Sequence, residues 1–162
     1  MQTEVIVIFD IGKSNKKVLL FDSKYNILLE DEQSFDEIED DDEFPCDDIQ
    51  KIENWIIESL HSILESSKYK VVAVNFSTYG ATLVHLDDKK KRLTPLYNYL
   101  KPTPADIFNK FYTKYGGINE FSRITASPPM GMLNSGLQIL CLKLTKPKIY
   151  NQIKYILHFP QY

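Results

Sequence analysis

The stretch Val5–Asp22, VIVIFDIGKSNKKVLLFD, constrains this chain more than any other. Two apolar, β-branched and aromatic segments, Val5–Phe9 and Lys17–Asp22, flank a short polar turn at Ile11–Lys16. Runs of this length and composition form strands, and so short a connection makes them antiparallel neighbours. The unbroken apolar character of Val5–Phe9 predicts a strand covered on both faces. Ile27–Phe35 predicts a third strand after the turn Ser23–Asn26, which completes an antiparallel meander.

Next comes DEIEDDDEFPCDD, Asp36–Asp48, with nine carboxylates. It lacks the central glycine and alternating ligands of a calcium loop, and reads as a solvated connection. Its last aspartates suit a helix N-terminus, where backbone N–H groups lack intrahelical partners. Ile49, Ile52, Ile56, Leu60 and Ile63 then recur at helical spacing, predicting a helix over Ile49–Ser66 with one apolar stripe. Val71–Phe76 predicts a buried strand, with Ala81–Leu86 as its partner after the STYG turn. Three hairpin-linked strands, a helix and another strand do not describe a doubly wound sheet. That order opens a ribonuclease-H-like fold. The second half predicts helices at Pro104–Tyr115 and Asn134–Thr145, a short one at Pro147–Gln152, and a strand-like end at Lys154–Phe159.

Gly12-Lys13-Ser14 has the tail of a P-loop signature, but the match fails twice. The first glycine of that motif falls at Val7, inside a strand, and the segment after the lysine is KVLLFD rather than a helix. A tight turn can hold an anion in another way, through a concave nest of successive backbone N–H groups. Gly12 permits close approach, Ser14 and Asn15 can hydrogen-bond, and Lys13, Lys16 and Lys17 carry positive charge. Asp10, at the end of the strand, is placed to hold a hydrated Mg²⁺ beside such an anion. A plain polar hairpin fits these residues equally well.

A net charge of −3 gives no general reason to expect nucleic acid. The longest apolar runs have strand length, so no membrane span is expected, and Gln2–Glu4 does not open a signal peptide. Cys46 and Cys141 are too few and too far apart for a disulfide framework or a zinc site; they read as reduced thiols in a cytoplasmic protein.

DIGKSNKKVLLFD resembles the first phosphate-binding motif shared by sugar kinases, heat-shock chaperone ATPases and actin. In sugar kinases of the FGGY family it reads Asp-x-Gly-(Thr/Ser)-(Thr/Ser) followed by a basic residue. Asp10 and Gly12 match, Ser14 and Asn15 fill polar positions, and Lys17 stands where the family often has arginine; Lys13 departs from the pattern. VVAVNFSTYGATLVHLD resembles the family's strand–turn–strand facing the sugar. TPLYNYLKP resembles the segment usually read as Trp-Asn-Asp, with Tyr97 and Tyr99 replacing its outer residues. The final segment from TASPPMGM to HFPQY resembles the family's Thr-Gly stretch and the helix and strand after it. The four motifs stand in family order from Val5 to Tyr162.

The resemblance implies a ribonuclease-H-like, actin-like ATPase fold: a mixed sheet with an antiparallel three-strand meander and flanking helices. Residues 1–162 would be the N-terminal part of the first domain of an ATP-dependent carbohydrate kinase, with the second domain absent. ATP and Mg²⁺ are the implied cofactors. Asp10, Gly12, Lys13, Ser14, Asn15 and Lys17 would bind the nucleotide phosphates, with Asp10 also at the metal. Thr78, Tyr79, Gly80 and Asn98 would face a sugar or polyol. The general-base aspartate is expected beyond Tyr162, so the chain alone is expected to be inactive. An incomplete domain exposing apolar surface could pair as a homodimer. The alternative is a non-catalytic sugar- or nucleotide-binding module that keeps the kinase fold. On residue type alone, Tyr79 and Tyr97 fit core positions as well as ligand contacts, and Asn98 fits a turn. His61, His85 and His158 read as structural or solvated.

Overall fold

A computed structural model describes residues 2–102 and 104–162. The chain divides into two compact units with the boundary between Gly80 and Ala81.

The first unit is built on a four-stranded sheet. Strands β1 (Thr3–Ile11), β2 (Lys16–Phe21) and β3 (Ile27–Gln33) form the meander, each antiparallel to the next. Helix α1 (Ile49–Glu65) follows, and β6 (Tyr69–Thr78) then returns parallel to β1. The predicted order of elements holds. Side chains alternate across a strand, and here the alternation decides what is buried. Val5, Val7, Phe9 and Ile11 of β1, with Val18 and Leu20 of β2, are buried on one face. Helix α1 covers that face: Ile52 is buried, and Trp55 meets the Phe9 ring edge-on at 5.5 Å. Phe9 also stacks on Phe76 of β6 at 5.4 Å. Fully burying such a side chain stabilises the fold by about 1.5–3 kcal/mol, so this layer holds most of the unit's apolar stabilisation.

Three expectations need correction. β6 is not the buried strand expected over Val71–Phe76, since its side chains from Val72 to Phe76 are exposed. The opposite face of β1, carrying Ile6, Ile8 and Asp10, is only half-buried or exposed, so the strand is covered fully on one side alone. The acidic segment is also not simply solvated. It folds into a small antiparallel pair, β4 (Ile38–Glu39) with β5 (Pro45–Cys46), and buries Asp40, Cys46 and Asp47. The Asp40 carboxylate accepts backbone N–H bonds from Asp42 at 2.8 Å and Phe44 at 3.0 Å, which holds the turn between them. Asp48 caps α1 as the sequence suggests, accepting from the N–H groups of Gln50 and Lys51 at 3.0 and 3.2 Å.

The second unit contains β7 (Leu83–Leu86), α2 (Ala105–Lys114), α3 (Ile118–Thr125), α4 (Ser135–Thr145), α5 (Pro147–Tyr150) and β8 (Tyr155–His158). Its core gathers Phe108, Tyr112, Leu137 and Cys141, flanked by Phe111, Phe121 and Leu140. β7 does not pair with β6, contrary to the sequence reading; it pairs antiparallel with β8, Leu83 opposite His158. The reason is that both edges of the segment are occupied: β8 takes one, and the other bridges Leu86 to Arg92 and accepts Leu93 N–H at His85 O at 2.9 Å. Phe159 N–H reaches Thr82 O at 3.1 Å and Lys154 N–H reaches Leu86 O at 2.8 Å, extending the ladder at both ends. Helix α3 was not expected, and a left-handed residue, Ala126 at φ 51°, ends it without glycine.

Candidate functional site

The turn between β1 and β2 is closed by a backbone bond from Gly12 N–H to Asn15 O at 2.9 Å. A Cβ at position 12 would lie 2.9 Å from that same carbonyl oxygen, closer than real Cβ contacts come. Glycine is therefore set here by close backbone approach. Ser14 and Asn15 stand exposed at the tip, and the Asn15 side-chain carbonyl accepts from the Ser34 hydroxyl at 3.4 Å.

Strand register sorts the three lysines. Lys17 lies directly opposite Asp10, so the two share the less covered face of the sheet. The Lys17 ammonium reaches sideways to Glu30 at 2.8 Å and Glu32 at 3.2 Å on β3, and these carboxylates raise its pKa. Lys16, one position earlier, points to the covered face and is 1% exposed. Asp47, 5% exposed, receives it: Lys16 Nζ donates to Oδ1 at 2.7 Å and also to the Lys13 carbonyl at 3.0 Å. Lys13 Nζ donates to Asp47 Oδ2 at 2.8 Å and to Glu37 at 2.5 Å, and the Tyr79 hydroxyl donates to Asp47 Oδ2 at 2.7 Å. Burial alone would push the Asp47 carboxyl up, but the three donors outweigh it and hold the carboxyl below its usual range. Burial likewise pulls the Lys13 ammonium down, and its two carboxylates more than reverse that.

The residues predicted for the sugar side fall into both units. Thr78 ends β6 with its hydroxyl donating to Tyr79 O at 3.0 Å, and Gly80 is exposed. The Tyr79 hydroxyl is engaged by Asp47 as described, and its N–H donates to Ile11 O at 3.1 Å. In the second unit Asn98 is buried; its Oδ1 accepts from Leu100 N–H at 2.9 Å and its carbonyl from Lys101 N–H at 3.0 Å, which forms a turn. His85 is buried, with Nδ1 2.9 Å from the Thr94 hydroxyl.

Comparison with known proteins places the chain in a family. The profile of the FGGY family of carbohydrate kinases, N-terminal domain, matches residues 5–162. The chain belongs to that family. No curated protein gives a significant match. Among solved structures, a gluconate kinase from Lactobacillus acidophilus is 18% identical with a TM-score of 0.77, covering 97% of this chain and 32% of its own. A carbohydrate kinase from Novosphingobium aromaticivorans is 20% identical with a TM-score of 0.80, covering 100% and 33%. A glycerol kinase from Plasmodium falciparum, solved with ADP, is 20% identical with a TM-score of 0.72, covering 93% and 30%. The chain thus spans about a third of these kinases' length, and at such identities the likeness shows the shared actin-like ATPase fold.

Within this FGGY domain, Asp47 is the site residue that sequence reasoning passed over, hidden among nine carboxylates. A signal was available. In KKVLLF, Lys16 falls on the same parity as Val18 and Leu20, so strand alternation places its ammonium on the buried face, where it needs a carboxylate.

Proposed function

We propose that this chain forms the phosphate-binding half of an ATP-dependent carbohydrate kinase, which transfers the γ-phosphoryl group to a hydroxyl of a sugar or polyol. Membership of the FGGY family supports the reaction class, and a glycerol kinase of the same fold solved with ADP supports the nucleotide. The observation that carries the reading is the β1–β2 turn. Asp10 and Lys17 share one face at its base, while Ser14 and Asn15 stand exposed at its tip.

This donor set suits a nucleotide phosphate with its metal. Mg-ATP, when bound, supplies the phosphoryl group and the divalent charge that neutralises it. Asp10 would hold the hydrated metal through its carboxylate. Gly12, Lys13, Ser14 and Asn15 would present the turn's backbone and polar groups to the phosphates, and Lys17 would turn from Glu30 and Glu32 toward them on the same face as Asp10. Thr78, Tyr79 and Gly80 would face the sugar from the first unit. With the Tyr79 hydroxyl engaged by Asp47, its ring is the part offered to a sugar's apolar face. We place the proton acceptor outside these residues, so that this chain binds and orients without completing the reaction.

Two buried, unpaired cysteines support a reducing, cytoplasmic setting. Among the described residues no helix is long and apolar enough to cross a membrane. The test is a screen of sugars and polyols for ATP-dependent phosphorylation by the protein expressed from its complete reading frame. Turnover of one of them is expected. Absence of turnover across the panel, with the protein folded and Mg-ATP bound, would favour the non-catalytic binding module.

A further inference from the structure

Three side chains converge on a single carboxylate. Asp47 sits just before α1; Lys13 lies in the β1–β2 turn and Lys16 opens β2; Tyr79 follows β6. Lys16 bonds to both Asp47 and the Lys13 carbonyl, so the ammonium that Asp47 holds is also an internal strut of the turn. The other Asp47 oxygen takes Lys13 and Tyr79 together. We propose, resting on the reading of this turn as a phosphate cradle, that Asp47 is a positioning residue. It fixes the shape of the turn through the two lysines and ties the turn to the Thr78–Gly80 segment through Tyr79, so that the two move as one.

The physical reason is that neither partner can be released cheaply. Lys16 is 1% exposed and Asp47 is 5% exposed, so removing the carboxylate charge leaves a buried ammonium without its counter-ion. Lys16 would then leave its place, and its bond to the Lys13 carbonyl would go with it. Glu37 cannot substitute, because it is half exposed and reaches only Lys13. On the other side, Tyr79 is joined to the end of β1 by its N–H to Ile11 O, next to Gly12. A shift at the turn is therefore passed directly to position 79.

Amide hydrogen exchange on the 162-residue chain tests the tie without any ligand. In Asp47→Asn, exchange of the Gly12 and Tyr79 amides is expected to rise on the order of tenfold, while the β2–β3 ladder keeps its protection. Tyr79→Phe, which keeps the ring, should raise exchange at position 79 and spare Gly12. Unchanged protection at both amides in Asp47→Asn, or at position 79 in Tyr79→Phe, overturns the proposal; the second variant decides the matter if the first does not fold. Calorimetric titration with Mg-ADP adds the link to binding. Asp47→Asn should weaken affinity about tenfold at unchanged stoichiometry, whereas mere loss of folded protein lowers stoichiometry and leaves affinity alone. Unaltered affinity in that variant overturns the positioning role. If the wild-type chain binds no Mg-ADP while the exchange results hold, the phosphate reading falls and the tie between the two segments stands.

Discussion

Lowering the pH from 7 to 5 should loosen the second unit through one histidine. His85 lies in β7, 3% exposed, with Nδ1 against the Thr94 hydroxyl and the Tyr97 ring 6.4 Å away. Its Nε2 is buried with no hydrogen-bond partner among the described residues, so an imidazolium would carry an unmatched donor. Burial pushes its pKa from 6.5 down to about 4. At about 1.4 kcal/mol per pKa unit, the whole interval corresponds to about 3 kcal/mol. The sign follows from proton counting. Between pH 6.5 and 4 the unfolded state binds the proton and the folded state does not, so stability falls as pH falls through that window and levels off below it. With those two pKa values, about 2 kcal/mol should be gone at pH 5. Hydrogen exchange of the β7–β8 amides at pH 7, 6 and 5, corrected for intrinsic rates, measures this directly. His85→Gln cannot titrate and should show a flat profile over the same range. An equal pH dependence in wild type and His85→Gln would refute the burial argument.

Gly12→Ala forces a Cβ to within 2.9 Å of the Asn15 carbonyl; it should cost about 1–3 kcal/mol, read by urea unfolding with Trp55 fluorescence. Asp10→Ala removes an exposed carboxylate, so the melting temperature should hold while Mg-ATP turnover of the protein from its complete reading frame drops about 100-fold or more. Near-normal turnover would rule out its metal role. Cys46 and Cys141, whose thiols burial pushes up to about 11, should resist a thiol reagent at pH 8 until the chain is unfolded. Asp48→Ala removes the α1 cap and should lower stability by about 1 kcal/mol, measured by the same urea assay.

The first unit was largely legible because local signals agree with the fold there. Apolar runs broken by short polar turns give β1 to β3, and a helical stripe of isoleucines gives α1. Asp10, Gly12 and Lys17 were singled out by the resemblance to the family's first phosphate motif, because the turn alone fitted a plain hairpin equally well; the register then sets Asp10 opposite Lys17. What was hidden depended on pairing across the chain. Whether β7 meets β6 or β8 is set by pairing between residues about 70 positions apart, which no window of sequence contains. Asp47 looked like its acidic neighbours, and only the folded register brings it under Lys16. Helix α3 was missed because its eight residues are too few to show a clear period.

β6 closes the sheet on one side and leaves its other edge open. Along this ten-residue strand Lys70 is the only charge, while Val72, Val74 and Phe76 are all more than a third exposed. Natural sheets guard such borders with lysine, proline or bulges, and this one has little of that protection. The practical consequence concerns handling. When the chain is made on its own, its yield and shelf life should be governed by this border rather than by the strength of the core, with strands from separate molecules adding to one another. A lysine in place of Ala73, which shares the less covered face with Ile6, is the substitution most suited to keeping the preparation monodisperse.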